Sequence, residues 1–252
     1  MPSVRRSREA TGDRIVRYPT FDFDQVDFVT SDTHFGHARI SELAGRPFRS
    51  VEEMDAELVR RWNEAVGPYD VVLHLGDVAL GSIQHSLPLI AVLHGRRFLV
   101  PGNHDRVSTA TQSRSAIERF TPLHEDAGWN ILREVIEGLR GGRRLIASHY
   151  AYRGDSQDVD RHVSHRPVDD GTPLIHGHTH SRENGPDGNQ FHVGVDAFGY
   201  APVPFELIDA WLADLQSEEG EMAAIVRDRS ALLEAAPLSE VAERFGVDLG
   251  GL

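Results

Sequence analysis

The stretch VDFVTSDTHFGH (residues 26–37) joins an apolar, β-branched run to a polar turn. The run at 26–31 has the length and composition of a short strand. The turn that follows it, Ser31-Asp32-Thr33-His34, offers a carboxylate and an imidazole two positions apart. We therefore expect a β-strand that delivers Asp32 and His34 to one edge of a sheet.

The same combination of strand and polar turn recurs four times further along the chain. Strands predicted at 70–75 and 97–100 precede Gly76-Asp77 and Gly102-Asn103-His104-Asp105, and strands at 144–148 and 174–176 precede Ser148-His149-Tyr150 and Gly177-His178-Thr179-His180. Functional loops of open α/β sheets gather at the carboxyl ends of the strands. The five motifs are therefore expected to converge on one site.

Other patterns predict the remaining organisation. Ser50 begins a capping-box sequence, and apolar residues at helical spacing predict a helix from there to residue 66. A second helix is predicted at 86–93, and further strands at 129–135, 191–195 and 204–208. We expect a flexible, arginine-rich extension at 1–20, one domain at 21–213, and a helical tail at 214–252 that packs or forms a homo-oligomer.

The composition is that of an ordinary globular protein, with 252 residues, of which 40% are hydrophobic and 26% charged. The formal net charge of −13 disfavours a protein that coats long nucleic acids, because it repels polyanions. No apolar run is long enough to span a membrane, and none follows the N-terminal arginines as a secretory signal requires. We expect a cytoplasmic protein without a membrane partner.

The donor atoms of the five motifs indicate a metal site. The chain has 14 histidines and no cysteine, so imidazoles, carboxylates and the Asn103 amide are the available ligands. Such a set suits Mn²⁺, Fe or Zn²⁺. Alternate residues of an extended segment point to one side, so Asp32-x-His34 and His178-x-His180 can each present two ligands. Asp77 is the candidate for a bridging carboxylate, and the glycines at 76, 102 and 177 allow sharp turns beside the ions.

The order of these motifs resembles that of the calcineurin-like metallophosphoesterase superfamily, from about residue 28 to residue 209. The strings DTHFGH, HLGD, GNHD and VGVDAFGY are similar to those of a bacterial and phage branch of small members. The resemblance implies an α/β fold, a four-layer αββα sandwich of two mixed β-sheets flanked by helices. It also implies a binuclear centre in which Asp32, His34, Asp77 and His180 hold one metal, and Asp77, Asn103, His149 and His178 hold the other.

The resemblance further implies a phosphoesterase that works with two divalent metal ions. We expect Mn²⁺, with Fe, Zn²⁺ or Ni²⁺ as alternatives. A hydroxide bridging the ions would attack phosphorus in line with the leaving oxygen, and Asn103 would offset charge on the phosphate. His104 would protonate the leaving oxygen or stabilise its charge, and Asp105 would hold the His104 imidazole and raise its pKa.

Small, nucleotide-like phosphodiesters or phosphomonoesters are the expected substrates. A nuclease or a nucleic-acid end-processing enzyme is the alternative, and it requires a basic stripe near the site. A non-catalytic metal-binding scaffold is the third hypothesis. The complete ligand set and the presence of His104 disfavour it, because such scaffolds usually lose the catalytic histidine or several ligands. The polar segment 150–171, here called the 150–171 loop, is either a solvated loop or a specificity rim, and its basic residues are Arg153, Arg161, His162, His165 and Arg166.

Several histidines outside the ligand set have open roles. His37 is a candidate for a phosphate contact, a donor to a ligand, or an exposed helix-start residue. His74 and His176 lie within apolar strands and are expected to be structural. Because metal-ligating histidines usually donate their second nitrogen to an acceptor, His192 or Asp196 is expected to orient a ligand imidazole.

Overall fold

The computed structural model describes residues 18–215. Eleven strands lie within them: β1 (Thr20–Asp22), β2 (Phe28–Thr30), β3 (Val71–His74), β4 (Arg96–Leu99), β5 (Trp129–Ile131), β6 (Val135–Arg140), β7 (Arg143–Ser148), β8 (Leu174–His176), β9 (Gly185–Asp187), β10 (Gln190–His192) and β11 (Val203–Pro204). The helices are α1 (Ile40–Leu43), α2 (Val51–Ala65), α3 (Ile83–Ile90), α4 (Arg114–Asp126) and α5 (Phe205–Asp214).

The strands form two mixed sheets. The five-stranded sheet has the order β11-β2-β3-β4-β5, in which β2 to β5 are parallel and β11 is antiparallel. The six-stranded sheet has the order β1-β6-β7-β8-β10-β9, with parallel β7, β8 and β10 at its centre. Two mixed sheets with flanking helices confirm the predicted sandwich. No helix within residues 18–215 is long and apolar enough to cross a membrane.

Alternation along the strands creates two hydrophobic clusters. In β3 and the residue after it, Leu73 and Leu75 face the cluster between the sheets, whereas Val72 faces the cluster under the helices. Residues Leu145, Ala147, Ile175 and Phe191 of the six-stranded sheet close the first cluster. A strand buried on both faces reads as a continuous apolar run, which is why DVVLHL is recognisable as a central parallel strand.

Helix α2 covers the outer face of the five-stranded sheet. Its N-terminus is capped by Ser50, whose Oγ accepts the N–H of Glu53 at 3.1 Å, while the Glu53 carboxylate accepts the N–H of Arg49 at 2.9 Å. Met54, Leu58 and Trp62 recur every four residues and are buried. These features confirm the helix predicted after Ser50.

Some predicted elements differ from the structure. Residues 204–208 do not form one strand, because β11 ends at Pro204 and α5 begins at Phe205. Buried residues at helical spacing (Phe205, Ile208, Trp211 and Leu212) pack α5 onto the cluster between the sheets. The second helix begins three residues earlier than predicted, and five elements were not predicted: α1, α4, β1, β6 and β9. Thr20, placed in the predicted extension, belongs to β1. Residues 1–17 and 216–252, and with them most of the predicted extension and tail, lie outside the described residues.

The parallel strands of both sheets bring their polar turns together. The N–H of Asp32 donates to the Gly76 carbonyl and the N–H of His34 to the Asp77 carbonyl, both at 3.0 Å. Across the sandwich, Ser31 forms a bridge with Gly194. The turns after β2, β3, β4, β7 and β8 therefore share one edge of the molecule.

Candidate metal centre

Three of the predicted ligands form a first group, ligand group A, made of Asp32, His34 and His180. Nε2 of His34 lies 3.2 Å from Nε2 of His180, and each of these nitrogens lies 3.9 Å from Oδ1 of Asp32. Asp32 and His34 come from the five-stranded sheet, and His180 comes from the turn after β8 in the other sheet. Three donor atoms within 4.8 Å of one another can hold one ion.

A second set, ligand group B, consists of Asn103, His149 and His178. Nε2 of His149 lies 3.1 Å from Oδ1 of Asn103 and 3.1 Å from Nδ1 of His178. His149 is fully buried, and His178 is nearly so. The imidazole nitrogens and the amide oxygen converge on one point, as ligands of a single ion do.

Asp77 stands between the two groups. Its Oδ2 lies 3.7 Å from Nε2 of His34 in group A and 3.5 Å from Nε2 of His149 in group B. Its Oδ1 accepts the backbone N–H of His104 at 2.8 Å. That hydrogen bond orients the carboxylate so that Oδ2 is available to both groups.

The backbone at these positions is unusual. Five predicted ligands have positive φ angles: Asp32 (58°), His34 (54°), Asp77 (58°), His178 (71°) and His180 (49°). The prediction from the spacing, that extended segments present Asp32 with His34 and His178 with His180, is therefore wrong. Left-handed turns separate His178, which joins group B, from His180, which joins group A. Non-glycine residues in this conformation cost of order 1–3 kcal/mol each and cluster at functional sites.

The glycines beside the ligands serve two purposes. Gly76 has φ of 88°, and a Cβ there would meet the Gly102 nitrogen at 2.4 Å. Gly177 lacks a positive φ, but a Cβ there would lie 2.6 Å from Oδ2 of Asp32. The expected sharp turn is thus present at Gly76, whereas Gly177 allows a close approach of backbone to a ligand.

Partners outside group A fix the orientation of its side chains. Oδ2 of Asp32 accepts the Ser31 hydroxyl at 2.6 Å and the N–H of His178 at 3.0 Å. Nδ1 of His180 lies 2.9 Å from Oδ2 of Asp196, so Asp196 orients the imidazole of a predicted ligand. Arg46 binds Asp196 through two nitrogens, at 2.7 and 3.1 Å, and donates to the Asp32 carbonyl at 2.6 Å.

Group B has a corresponding set of partners. Nδ1 of His149 donates to the Leu75 carbonyl at 2.8 Å, which leaves the lone pair of Nε2 free to bind a metal ion. Nε2 of His178 lies 3.2 Å from Oδ2 of Asp155 in the 150–171 loop. The two ligand histidines of group B therefore present different nitrogens, Nε2 and Nδ1, to the same point.

The electrostatics of the site fit divalent cations. Burial raises the pKa of Asp77 well above its usual value, and the neighbouring charges of Asp105 and Asp32 add to the increase. Burial lowers the pKa of His34, so its imidazole is neutral. Oδ1 of Asp32 is buried without a hydrogen-bond partner. A neutral imidazole, an orphaned carboxylate oxygen and crowded negative charge are the conditions that a bound cation satisfies.

His104 lies beside the centre, with Nε2 3.9 Å from Oδ2 of Asp77 and a side chain that is 41% exposed. Asp105 does not hold this imidazole, contrary to the prediction. The Asp105 oxygens instead accept the backbone N–H groups of Gly102, Asp77 and Val78 at 2.8–3.0 Å. Burial, with the charges of His149 and His37, lowers the pKa of His104 to about 4 rather than raising it. Asp105 thus fixes the two turns, and His104 is neutral near pH 7.

The histidines outside the predicted ligand set lie either beside the centre or in the buried interior. The His37 ring lies 5.4 Å from the His34 ring and 6.4 Å from the His104 ring, on the group A side. His74 is buried, with Nε2 3.1 Å from the Thr33 hydroxyl, and His176 is buried as well. His192 is buried, but neither ring nitrogen has a hydrogen-bond partner. It therefore does not orient a ligand.

The basic residues of the 150–171 loop have mostly local partners. Arg161 pairs with Asp155, Arg166 pairs with Asp160, and Arg153 lies near Asp169 and Asp187. The His162 ring lies 5.6 Å from the His178 ring, next to group B. The Tyr150 ring lies 5.1 Å from the His149 ring and 5.2 Å from the His178 ring. The loop therefore borders the centre through Tyr150, Asp155 and His162.

Two residues of the site had no signal in the sequence. Arg46 stands in a loop before α2, 150 positions from its partner Asp196. Asp155 is one of several aspartates in a polar loop, and only the fold brings it to His178. Neither residue belongs to a motif with a regular spacing, so pattern analysis cannot select them.

A known protein family matches the part of the chain that carries the candidate metal centre. A family model described as the calcineurin-like phosphoesterase superfamily domain matches residues 28–195. That range contains all seven predicted ligands as well as His104 and Asp105.

Related proteins come from phages and prokaryotes. The gene 66 protein of Mycobacterium phage L5 is 35% identical over 218 residues, which cover 76% of this chain and 96% of the phage protein. The gene 66 protein of Mycobacterium phage D29 is 33% identical, with the same coverage. A solved structure of a protein of unknown function from Aquifex aeolicus has a TM-score of 0.55 at 22% identity and covers 73% of this chain and 97% of its own. The last similarity concerns the fold alone.

Proposed function

Because this chain belongs to the calcineurin-like phosphoesterase superfamily, we propose that it hydrolyses small phosphodiesters or phosphomonoesters with two divalent metal ions. The position of Asp77 supports this proposal most directly. One of its oxygens lies within 3.7 Å of a donor nitrogen in each ligand group. A carboxylate shared by two groups of ligands is the arrangement of a binuclear centre.

The seven predicted ligands would hold the ions. Asp32, His34 and His180 would bind one, Asn103, His149 and His178 would bind the other, and Asp77 would contact both. Nitrogen and oxygen donors without sulfur favour Mn²⁺, with Fe, Zn²⁺ and Ni²⁺ as alternatives. When bound, such a pair of ions supplies a water of lowered pKa as the nucleophile for in-line displacement and neutralises charge on the phosphate.

The chain's own side chains would position the substrate and assist the leaving group. His104 is partly exposed next to Asp77, so its imidazole can reach a phosphate ester in the site. As a neutral ring it donates a hydrogen bond to the leaving oxygen, where negative charge develops. His37 stands on the same side and can contact a phosphate oxygen.

The charge distribution supports small substrates over long nucleic acids. The arginines of the 150–171 loop are engaged with loop aspartates, and the whole chain carries a net charge of −13. A nuclease needs unpaired cations along the path of a phosphate backbone. Hydrolysis of a short oligonucleotide at a rate above that of small diesters would reverse this preference.

A metal add-back experiment tests the proposed function. Full-length protein is stripped with a chelator and assayed with paired chromogenic mono- and diesters, after Mn²⁺, Zn²⁺, Ni²⁺, Fe²⁺ or Mg²⁺ is added singly. We expect turnover that depends on added metal, and the preferred ester decides between the two substrate classes. If two ions bind and neither these esters nor oligonucleotides are hydrolysed, we would conclude that the protein is a non-catalytic metal-binding scaffold.

A further inference from the structure

The 150–171 loop contains an aspartate whose side chain is completely buried, Asp155. Its Oδ2 accepts the backbone N–H of Arg161 at 2.8 Å, and its Oδ1 accepts Nη2 of the same residue at 2.8 Å. These hydrogen bonds hold the pKa of Asp155 below its usual value, against the opposing effect of burial. A buried carboxylate requires such partners, so the loop folds around this side chain.

The same carboxylate reaches the metal centre. Its Oδ2 lies 3.2 Å from Nε2 of His178, while Nδ1 of that ring lies 3.1 Å from Nε2 of His149 in ligand group B. An imidazole that donates its Nε2 proton to a carboxylate keeps a free lone pair on Nδ1. Asp155 thus fixes the tautomer and the ring orientation in which His178 can bind a metal.

Further contacts extend this connection over the loop. Nη2 of Arg166 donates to the Gly154 carbonyl at 2.9 Å and to Asp160 at 2.8 Å, which holds the two arms of the loop together. His162, with φ of 55°, lies with its ring against that of His178. A left-handed residue persists only where surrounding contacts fix the backbone. One set of contacts therefore determines both the loop conformation and the orientation of His178.

We propose that Asp155 is a positioning residue that couples the order of the 150–171 loop to metal occupancy of ligand group B. The proposal rests on the proposed function, because it requires that group B holds an ion. An ion that fixes Nδ1 of His178 also fixes the carboxylate at Nε2, and through it Arg161. By thermodynamic linkage, the ordered loop strengthens metal binding by the same factor by which the metal stabilises the loop.

Two measurements on full-length protein test this coupling. After removal of metal with a chelator, Mn²⁺ is titrated, and bound ions are counted by elemental analysis after equilibrium dialysis. Amide hydrogen exchange of peptides spanning 152–166 is followed in parallel. For the unmodified chain we expect two ions and a rise in protection of these peptides as Mn²⁺ binds.

Asp155→Asn preserves the size of the side chain and removes its charge. We expect the affinity for one of the two ions to fall about 10–100-fold, as is typical when the acceptor behind a metal-bound histidine is lost. Hydrogen-exchange protection of the 152–166 peptides should no longer rise as that ion binds. Asp158→Asn is the matched control, because Asp158 is an exposed residue of the same loop and takes no part in the contacts described above. This control should behave as the unmodified chain does.

The outcomes separate the two proposals. If Asp155→Asn binds two ions with unchanged affinity and retains metal-dependent protection, the coupling is wrong. If the unmodified chain does not bind two ions, the proposed function fails instead.

A second variant covers the case in which Asp155→Asn does not fold, which a melting curve reveals. Arg161→Met keeps the contact between Asp155 and His178 and removes the hydrogen bonds from the Arg161 guanidinium to Asp155, whereas the backbone N–H of residue 161 can still donate. It should retain two ions and show a smaller metal-dependent rise in protection of the 152–166 peptides. A rise as large as that of the unmodified chain would overturn the coupling.

Discussion

Asp77 brings the two ligand groups into contact through a single oxygen atom. Its other oxygen is held by the N–H of His104, and its backbone N–H is held by Asp105. Because burial and neighbouring carboxylates raise its pKa, the charged form is unfavourable without a cation nearby. Binding of metal and ionisation of Asp77 are therefore expected to occur together.

Replacement of Asp77 with asparagine should weaken metal binding at both groups. The amide keeps the shape of the side chain but removes the one charge that both ions would share. We expect fewer than one ion per chain under conditions where the unmodified protein holds two, measured by elemental analysis after dialysis. Asp158→Asn, at an exposed position of the 150–171 loop, is the control. Two retained ions with normal turnover would show that Asp77 does not bridge.

Replacement of His104 with alanine should leave the metals in place and slow catalysis. If the imidazole assists the departing oxygen as proposed, turnover of esters with poor leaving groups should fall about 100-fold or more, and esters with good leaving groups should lose less. Rates across a series of aryl esters measure this dependence. An equal loss for the whole series would mean that His104 acts on the phosphate rather than on the leaving group.

At the residue scale, the sequence predicts the ligands better than it predicts the residues that hold them by hydrogen bonds. Each ligand follows a recognisable strand, so its place at the sheet edge could be inferred from the motif alone. Asp155 contacts His178, 23 positions away along the chain, and Arg46 binds Asp196, the partner of His180, 150 positions away. Their roles depend on tertiary contacts that no local pattern records, and the same holds for the carboxylate of Asp105.

At the scale of elements, helix α2 supports the turn that carries His34. Both oxygens of Asp55 in α2 lie 3.1 Å from the backbone N–H of Gly36, two residues beyond His34. Asp55 is only 6% exposed, and burial raises its pKa to about 6, with a smaller contribution from Glu52. The hydrogen bond from Gly36 and the charge of Arg46 oppose the increase without cancelling it.

This carboxyl group makes stability depend on pH. Because the pKa of Asp55 is higher in the folded chain than in the unfolded chain, its contribution favours folding below about pH 4 and is lost as the pH rises through about 6. Asp55→Asn should therefore raise the free energy of unfolding near pH 7 by roughly 1–3 kcal/mol relative to its effect at pH 4. Urea unfolding of metal-free protein at both pH values measures the difference. Asp158→Asn, at an exposed position of the 150–171 loop, is the control, and an effect of Asp55→Asn that is independent of pH would contradict the assignment.

Element prediction succeeded where burial and pattern agree. Central strands such as β3 and β8 are continuous apolar runs, and α2 has both a capping serine and a buried stripe. The error at 204–208 arose because a short apolar run after a proline fits a strand or a helix. The spacing of Ile208, Trp211 and Leu212 carried the helical signal. Helix α4 has a single buried residue, His124, and so lacks the apolar stripe that reveals α2.

At the scale of the whole molecule, each ligand group draws on both sheets. In group A, Asp32 and His34 follow β2, and His180 follows β8. In group B, Asn103 follows β4, whereas His149 and His178 follow strands of the six-stranded sheet. Bound ions would therefore connect the two halves of the sandwich at the edge where their strands end.

Metal should consequently stabilise the entire fold. An ion that binds only the folded chain adds about 2.7 kcal/mol at a free concentration one hundred times its Kd. For a chain of this size we expect the Tm to rise by roughly 5–10 °C when Mn²⁺ is returned to chelator-treated protein. Calorimetry measures the shift, and Asp77→Asn should reduce it. An unchanged Tm with two bound ions would mean that the unfolded chain binds the ions as strongly as the folded chain does.

The left-handed backbone at five ligand positions also has an evolutionary consequence. Relief of this strain by glycine is worth of order 1–3 kcal/mol at each position, so the ligands are kept against the preference of the backbone. In a lineage that no longer needs the activity, positions 32, 34, 77, 178 and 180 should drift toward glycine faster than neighbouring buried positions do. The pattern of glycine gain among descendants would then date the loss of catalysis, even where the fold itself remains intact.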